Sequence, residues 1–188
     1  MQITSAKFIC GLKGSHPLLG DGTPQVAFIG RSNAGKSSLL NSITNKKELA
    51  RTSKTPGRTQ EINVFLINDT HYFMDLPGYG YAKASGSVRE KLGKLINWYL
   101  FAADVEQKVV LLIDAVVGPT PDDLEMLRAL EQAGKDIVIV LNKIDKIKKS
   151  HYPNHMKALA TRFNGHKTFP YSSKTKSGLT ELIDELLE

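Results

Sequence analysis

The chain has 188 residues, 41% of them hydrophobic and 23% charged, enough for one well-cored domain and too few for two ordinary ones. Lysine plus arginine number 25 against 19 acidic residues, so the net charge is +6, which permits contact with nucleic acid or an acidic surface without demanding it. Cys10 is the only cysteine, which excludes an intramolecular disulfide, and no apolar run reaches the roughly 20 residues of a membrane span. The N-terminus lacks the charged start and apolar stretch of a secretory signal, so the expected setting is cytoplasmic, without membrane association. Cys10 follows apolar Phe8 and Ile9 and is read as a buried structural thiol.

In chain order, residues near Ser5–Leu12 are read as an extra edge strand, and Gln25–Ile29 as the first central strand. A helix over Lys36–Thr44 follows, then a polar, strand-poor stretch, Lys46–Gln60, the one long candidate for a mobile loop. Glu61–Ile67 and His71–Asp75, separated by Asn68-Asp69-Thr70, form a predicted hairpin and give the sheet one antiparallel edge. Helix Val88–Ala102, strand Val109–Asp114 and helix Pro121–Ala133 come next; Thr120, Pro121, Asp122 and Asp123 open the last with a cap, a proline and two acids. Strand Ile137–Asn142, helix Pro153–Phe163, strand Lys167–Tyr171 and helix Leu179–Leu187 complete the chain. Three strands are almost wholly apolar, as strands buried on both faces must be. The expectation is an α/β fold: a mostly parallel six-stranded sheet, helices on both faces, one domain over residues 1–188.

Gly30-Arg31-Ser32-Asn33-Ala34-Gly35-Lys36-Ser37 fits G-x-x-x-x-G-K-[ST] between a strand and a helix. In that setting the backbone N–H groups curl around phosphates, Lys36 reaches the β- and γ-phosphates, and the Ser37 hydroxyl ligates Mg²⁺. Asp75-Leu76-Pro77-Gly78 ends the second hairpin strand, where a carboxylate can hold the metal through water and a glycine N–H can sense the γ-phosphate. Between them, Thr59 is the chosen hydroxyl of a nucleotide-sensitive loop, with Thr55 and Thr52 as rivals. Asn142-Lys143-Ile144-Asp145 follows an apolar strand, and the Asp145 carboxylate can accept from guanine N1–H and its exocyclic amine, a donor pair adenine lacks. Ser172-Ser173-Lys174, after the last strand, can back the base with a backbone amide and the lysine stem.

The series GRSNAGKS, TPGRTQ, DLPGYGYAK, NKID and SSK resembles the translation-factor-related GTPases, and most closely the EngB group (also called YihA or YsxC). Gly57-Arg58-Thr59-Gln60 and Asp75–Lys83 are the specific marks, and the likeness runs from about Phe8 to the final helix. The resemblance implies a Ras-like fold and a monomeric GTPase serving large-ribosomal-subunit maturation, with a link to cell division and septation. It implies Ser37 and Thr59 as magnesium ligands. It also implies nucleotide contacts at Gly30–Ser37, Gly57–Glu61 (Gln60 and Glu61 included), Asp75–Gly78, Asn142–Asp145 and Ser172–Lys174. Lys36, Thr59 and Gly78 would carry the catalytic charge and positioning. Asn33 resembles an asparagine that binds K⁺ in some related GTPases, the alternative being an asparagine that stabilises its own turn. Asp114-Ala115-Val116-Val117 departs from the group, which has a basic or polar residue after the alanine.

Where Ras-like proteins place a water-orienting glutamine after D-x-x-G, this chain has Tyr79, so unassisted hydrolysis is expected to be slow. Gln60 is read as structural filling. Basic residues gather at Lys46, Lys47, Arg51, Lys54 and Arg58, at Arg89, Lys91 and Lys94, and at Lys143, Lys146, Lys148 and Lys149. The first group surrounds the expected switch and could face ribosomal RNA or water. Two other classes stand beside the GTP-hydrolysing switch: a P-loop ATPase or kinase, which Asn142–Asp145 disfavours, and a nucleotide-regulated protein-binding regulator of division.

Overall fold

A computed structural model describes residues 1–50, 61–80, 86–163 and 165–188. Seven strands form one sheet in the order β1-β3-β4-β2-β5-β6-β7. They are β1 (Ala6–Leu12), β2 (Gln25–Gly30), β3 (Ile62–Ile67), β4 (His71–Asp75), β5 (Gln107–Asp114), β6 (Asp136–Asn142) and β7 (Lys167–Pro170). The α-helices are α1 (Lys36–Ile43), α2 (Gly86–Asn97), α3 (Pro121–Gln132), α4 (Tyr152–Arg162) and α5 (Leu179–Leu186). Pairings from β4 through β2, β5, β6 and β7 are parallel, as crossover helices require; β3 runs against both neighbours. The predicted extra strand is β1, so the reversed strand lies next to the edge with β1 outside it. Asn68 and Asp69, at φ 50° and 57°, make the two-residue left-handed turn between β3 and β4, a role suited to those residue types.

The alternation of apolar residues on the central strands divides the core into two layers. Ala27 and Ile29 of β2 pack on the side of α2, α3 and α4, with Leu95, Leu130 and Leu159. Val26 and Phe28 pack on the other side with Leu39 and Leu40 of α1 and Leu182 and Ile183 of α5. Every residue of β2 is buried, which is why its sequence carries no polar alternation. A β-carbon on Gly30 would lie 2.7 Å from the Leu112 carbonyl oxygen, so the strand must end in glycine where it passes β5. Among the described residues, no helix is long and apolar enough to cross a membrane.

Two local expectations shift. The helix after β4 is α-helical only to Asn97 and continues as a π-helical turn, Trp98–Ala102. The wider turn leaves Tyr99 and Leu100 both fully buried, with Tyr99 donating to the side chain of Gln25 at 3.0 Å. Cys10 is half-buried rather than buried, and Phe8 and Ile9 are exposed at 54% and 43%. The cause is the edge position of β1 together with a register shift between Phe8 and Cys10, which interrupts the inward–outward alternation. Burial, followed by the nearby Glu61 charge, pushes the Cys10 thiol pKa up and disfavours its reactive thiolate.

Candidate functional site

The site lies past the C-terminal ends of β2, β4, β5 and β6, where open α/β sheets hold ligands. Gly30–Ser37 leaves β2 and enters α1. Gly35 is the residue before the helix, at φ 101°, and a β-carbon there would collide with the Asn142 side chain. No side chain caps α1, so its first N–H groups are not taken by a side-chain cap and face the loop. Asn33 sits at φ 72°, a conformation asparagine tolerates well, and its residue type is accounted for by the turn itself. Ala34 is buried, Arg31 is exposed, and Ser32 donates its N–H to the Tyr79 carbonyl at 2.9 Å. Tyr79 in turn donates its N–H to the Gly30 carbonyl at 3.3 Å, fastening the segment after β4 to the phosphate loop.

Asp75 is 3% exposed and pairs with the Lys36 ammonium; the amide of Asn63 donates to its other oxygen at 3.4 Å. Ser37 stands half-buried in the first turn of α1, while Leu76, Pro77 and Gly78 are buried beyond Asp75. The Ser37 hydroxyl and the Asp75 carboxylate are hard oxygen donors, the chemistry that fits Mg²⁺. Among the described residues, no cluster of three His, Cys, Asp or Glu offers a cage made by protein alone. Thr59, its rivals Thr52 and Thr55, and Gly57, Arg58 and Gln60 lie outside the described residues. Glu61 is half-buried in the bend before β3.

The loops after β6 and β7 are cross-linked to the phosphate loop. The Asn142 amide donates to the Ala34 carbonyl at 3.1 Å and its oxygen accepts from the Ser173 hydroxyl at 3.1 Å. Lys143, at φ 68°, sends its ammonium to the Asn33 carbonyl at 2.6 Å and the Asp114 carboxylate at 2.7 Å. Ile144 is buried, and its N–H reaches the Tyr171 carbonyl at 3.3 Å, which turns Asp145 outward. One Asp145 oxygen accepts from the buried Ser172 hydroxyl at 2.6 Å, and the Lys174 N–H donates to that hydroxyl at 3.3 Å. The two segments expected at the base, Asn142–Asp145 and Ser172–Lys174, therefore converge, and the first of them is tied to the phosphate loop.

Two participants were not chosen from sequence as site residues. Asp114, ending β5, holds Lys143 and also accepts from the Val116 N–H at 2.9 Å; an acid closing a parallel central strand was the available signal. Asp123 accepts the Tyr79 hydroxyl at 2.6 Å and also the N–H and hydroxyl of Thr120, so the α3 cap box doubles as an anchor for Tyr79. Burial first, and then the Asp123 charge and hydrogen bond, push the Tyr79 phenol pKa far above its ordinary value.

A glycine-bounded phosphate loop, a lysine–carboxylate pair beside it and an N-K-x-D loop locked to the phosphate loop define a P-loop GTPase. The comparisons agree with that class. A family model described as "50S ribosome-binding GTPase" matches residues 25–143, and one described as "Elongation factor Tu GTP binding domain" matches residues 100–188. The "Probable GTP-binding protein EngB" of Clostridium botulinum (strain Eklund 17B / Type B) is 43% identical over 99% of this chain and 96% of its own. That of Chlorobaculum parvum is 44% identical over 99% and 97%. The chain belongs to the EngB family of GTP-hydrolysing, GTP-binding proteins. Among solved structures, an EngB protein superposes with a TM-score of 0.70 at 26% identity, covering 87% of this chain and 96% of that one. Era bound to MgGDPNP and nucleotides 1506–1542 of 16S ribosomal RNA gives 0.71 at 27% identity, covering 87% and 55%.

Proposed function

We propose that this GTPase is a slow molecular switch, one G domain acting as an assembly factor for the large ribosomal subunit in the cytoplasm and needed for normal cell division and septation. The observation that supports GTP over ATP most directly is the outward Asp145 carboxylate, backed by the Ser172 hydroxyl, whose neighbour Ser173 is held by Asn142. Mg²⁺, when bound, neutralises charge on the β- and γ-phosphates; Ser37 and Thr59 would ligate it, with Asp75 reached through water. Lys36 would then share its charge between Asp75 and the phosphates, the amides of Gly30–Ser37 would cradle the phosphate oxygens, and the Gly78 N–H would meet the γ-phosphate. Tyr79 already donates its hydroxyl to Asp123, so it does not serve as the water-orienting group in this arrangement. Slow turnover follows, on the order of 10⁻³ s⁻¹ if the intrinsic rate of Ras is the guide.

The ribosomal reading draws on the printed description of the matching family model and on the RNA-bound Era structure. Lys46 is less available to RNA than its position suggests, because its ammonium donates to the Ala6 carbonyl at 2.5 Å. Lys47 is exposed, while Arg51, Lys54 and Arg58 lie outside the described residues. Co-sedimentation with large ribosomal subunits tests the reading: the GTP-bound protein should pellet with them and the GDP-bound protein should not. Equal pelleting in both states would remove the switch, and pelleting in neither would remove the ribosomal partner.

A further inference from the structure

α2 is separated in chain position from every residue of the nucleotide site, yet it carries a groove of about 750 Å³ shared with the turn after β1. Leu92 and Leu95, 4% and 9% exposed, are the buried apolar part of its lining, and Trp98 stands half-buried where α2 passes into the π-helical turn. Lys91 and Lys94 from α2 and Lys13 from across the groove complete the rim; among the described residues, no acidic side chain lines it. Lys91, Lys94 and Trp98 are spaced three and four apart, so they project along one helical face. Lys94 pairs with Glu90 at 2.7 Å, but both side chains are largely exposed, and such a pair holds its ammonium weakly. π-helical turns are rare and concentrate at functional sites; this one places the only tryptophan of the chain in the groove.

We infer that this groove binds a single-stranded RNA segment, one base stacking against Trp98 while the flanking phosphates meet Lys13, Lys91 and Lys94. The inference rests on the ribosomal reading for its biological partner but not for its geometry. Cationic rims with an aromatic platform suit single strands because every base has a π-face and every nucleotide a negative charge. An apolar groove for an ordinary protein partner would not need three lysines among its lining residues. The charge of the groove matches that of the chain as a whole, at +6.

The lone tryptophan makes the test direct. Titrating a mixed-sequence 12-nucleotide single-stranded RNA into the full chain with a non-hydrolysable GTP analogue should quench its fluorescence. Trp98→Leu should weaken binding of the labelled oligonucleotide by about tenfold, matching one lost stacking contact. Lys91→Gln with Lys94→Gln should lower the log–log salt slope by about 1.4, at roughly 0.7 per phosphate contact. Both variants should keep wild-type affinity for a fluorescent GDP, which certifies their fold. RNA binding without quenching, or unchanged affinity in both variants, overturns the groove. Quenching by an acidic amphipathic peptide but not by RNA also overturns it, in favour of a protein partner. If wild type pellets with large subunits in its GTP form and the variants pellet equally, the groove fails and the ribosomal reading stands. If wild type binds and quenches with RNA yet never pellets, the reading fails and the groove stands.

Discussion

The half of the site proposed for the phosphates and the half proposed for the base are built on different terms. Around the base, the polar groups are already engaged with one another: Asn142 spans from Ala34 to Ser173, Lys143 from Asn33 to Asp114, and Ser172 holds Asp145. On the side proposed for the phosphates, Lys36 pairs with Asp75, two charges that a nucleotide and its metal would both claim. A half fixed in advance gives selectivity at little ordering cost. A half whose charges are exchanged on binding gives a response to the γ-phosphate, because the ligand changes which partner each charge has. This division suits a switch, in which recognition should be constant and only the phosphate response variable.

The largest effect expected is on the exchanging half. Lys36→Ala strips the phosphate charge and leaves Asp75 buried without its cation, a loss of about 3–5 kcal/mol for a broken buried pair. Nucleotide affinity should fall at least about 100-fold, and GTP should lose more than GDP because the lysine also serves the γ-phosphate. Competition with a fluorescent GDP measures both; equal losses for the two nucleotides would mean the lysine reads only what they share.

Next in size is the fixed half. Asp145→Asn removes one charge-assisted pair to guanine, about 1.5–3 kcal/mol, and replaces an acceptor by a donor. Xanthosine nucleotides, which offer an acceptor where guanine has its amine, should gain. GTP and GDP should lose alike, in contrast to Lys36→Ala. Unchanged GTP affinity by calorimetry would remove Asp145 from the base site. Asp114→Asn should act in the same direction but more weakly. It keeps an acceptor for the Val116 N–H yet loses the charge that steadies Lys143, so about 0.5–1.5 kcal/mol, equal for both nucleotides, is expected. A larger loss for GTP would show that the fixed half also reads the γ-phosphate.

How much of this could be read from residues follows the same division. The apolar runs of β2, β5 and β6 revealed central strands because burial on both faces suppresses polar residues. Gly30–Ser37, Asp75–Gly78, Asn142–Asp145 and Ser172–Lys174 could be proposed from sequence because each is a short contiguous segment at the end of a strand. Asp114 and Asp123 were less visible, since their site partners, Lys143 and Tyr79, are 29 and 44 positions away and only the sheet topology brings them together. The half-burial of Cys10 was hidden for another reason: a register shift in an edge strand leaves no mark in hydrophobic pattern. The π-helical turn was equally silent, because Trp98–Ala102 continues the apolar helical pattern and differs only in its bonding.

The smallest effect concerns Tyr79, which stands between the halves and the α3 cap. Tyr79→Phe keeps the ring and removes one hydrogen bond to Asp123, which retains Thr120 as a donor. Stability should therefore fall by only about 0.5–1.5 kcal/mol, read from denaturant unfolding. The hydrolysis rate should stay within about threefold of wild type, because the hydroxyl is engaged with Asp123 and not with water in the site. A pH series supplies the sharper criterion. The folded-state phenol pKa lies above the unfolded value of about 10, so the contribution is fully present below pH 10. It is lost as pH rises through the folded value, since the unfolded chain gives up this proton first. The alkaline decline in wild-type stability should thus be shallower in Tyr79→Phe, with the remaining slope due to other buried phenols such as Tyr99 and Tyr171. A hydrolysis rate that drops 100-fold in single-turnover assays while stability barely changes would place the hydroxyl on the attacking water instead, and the phosphate half would then include Tyr79 among its exchanging groups.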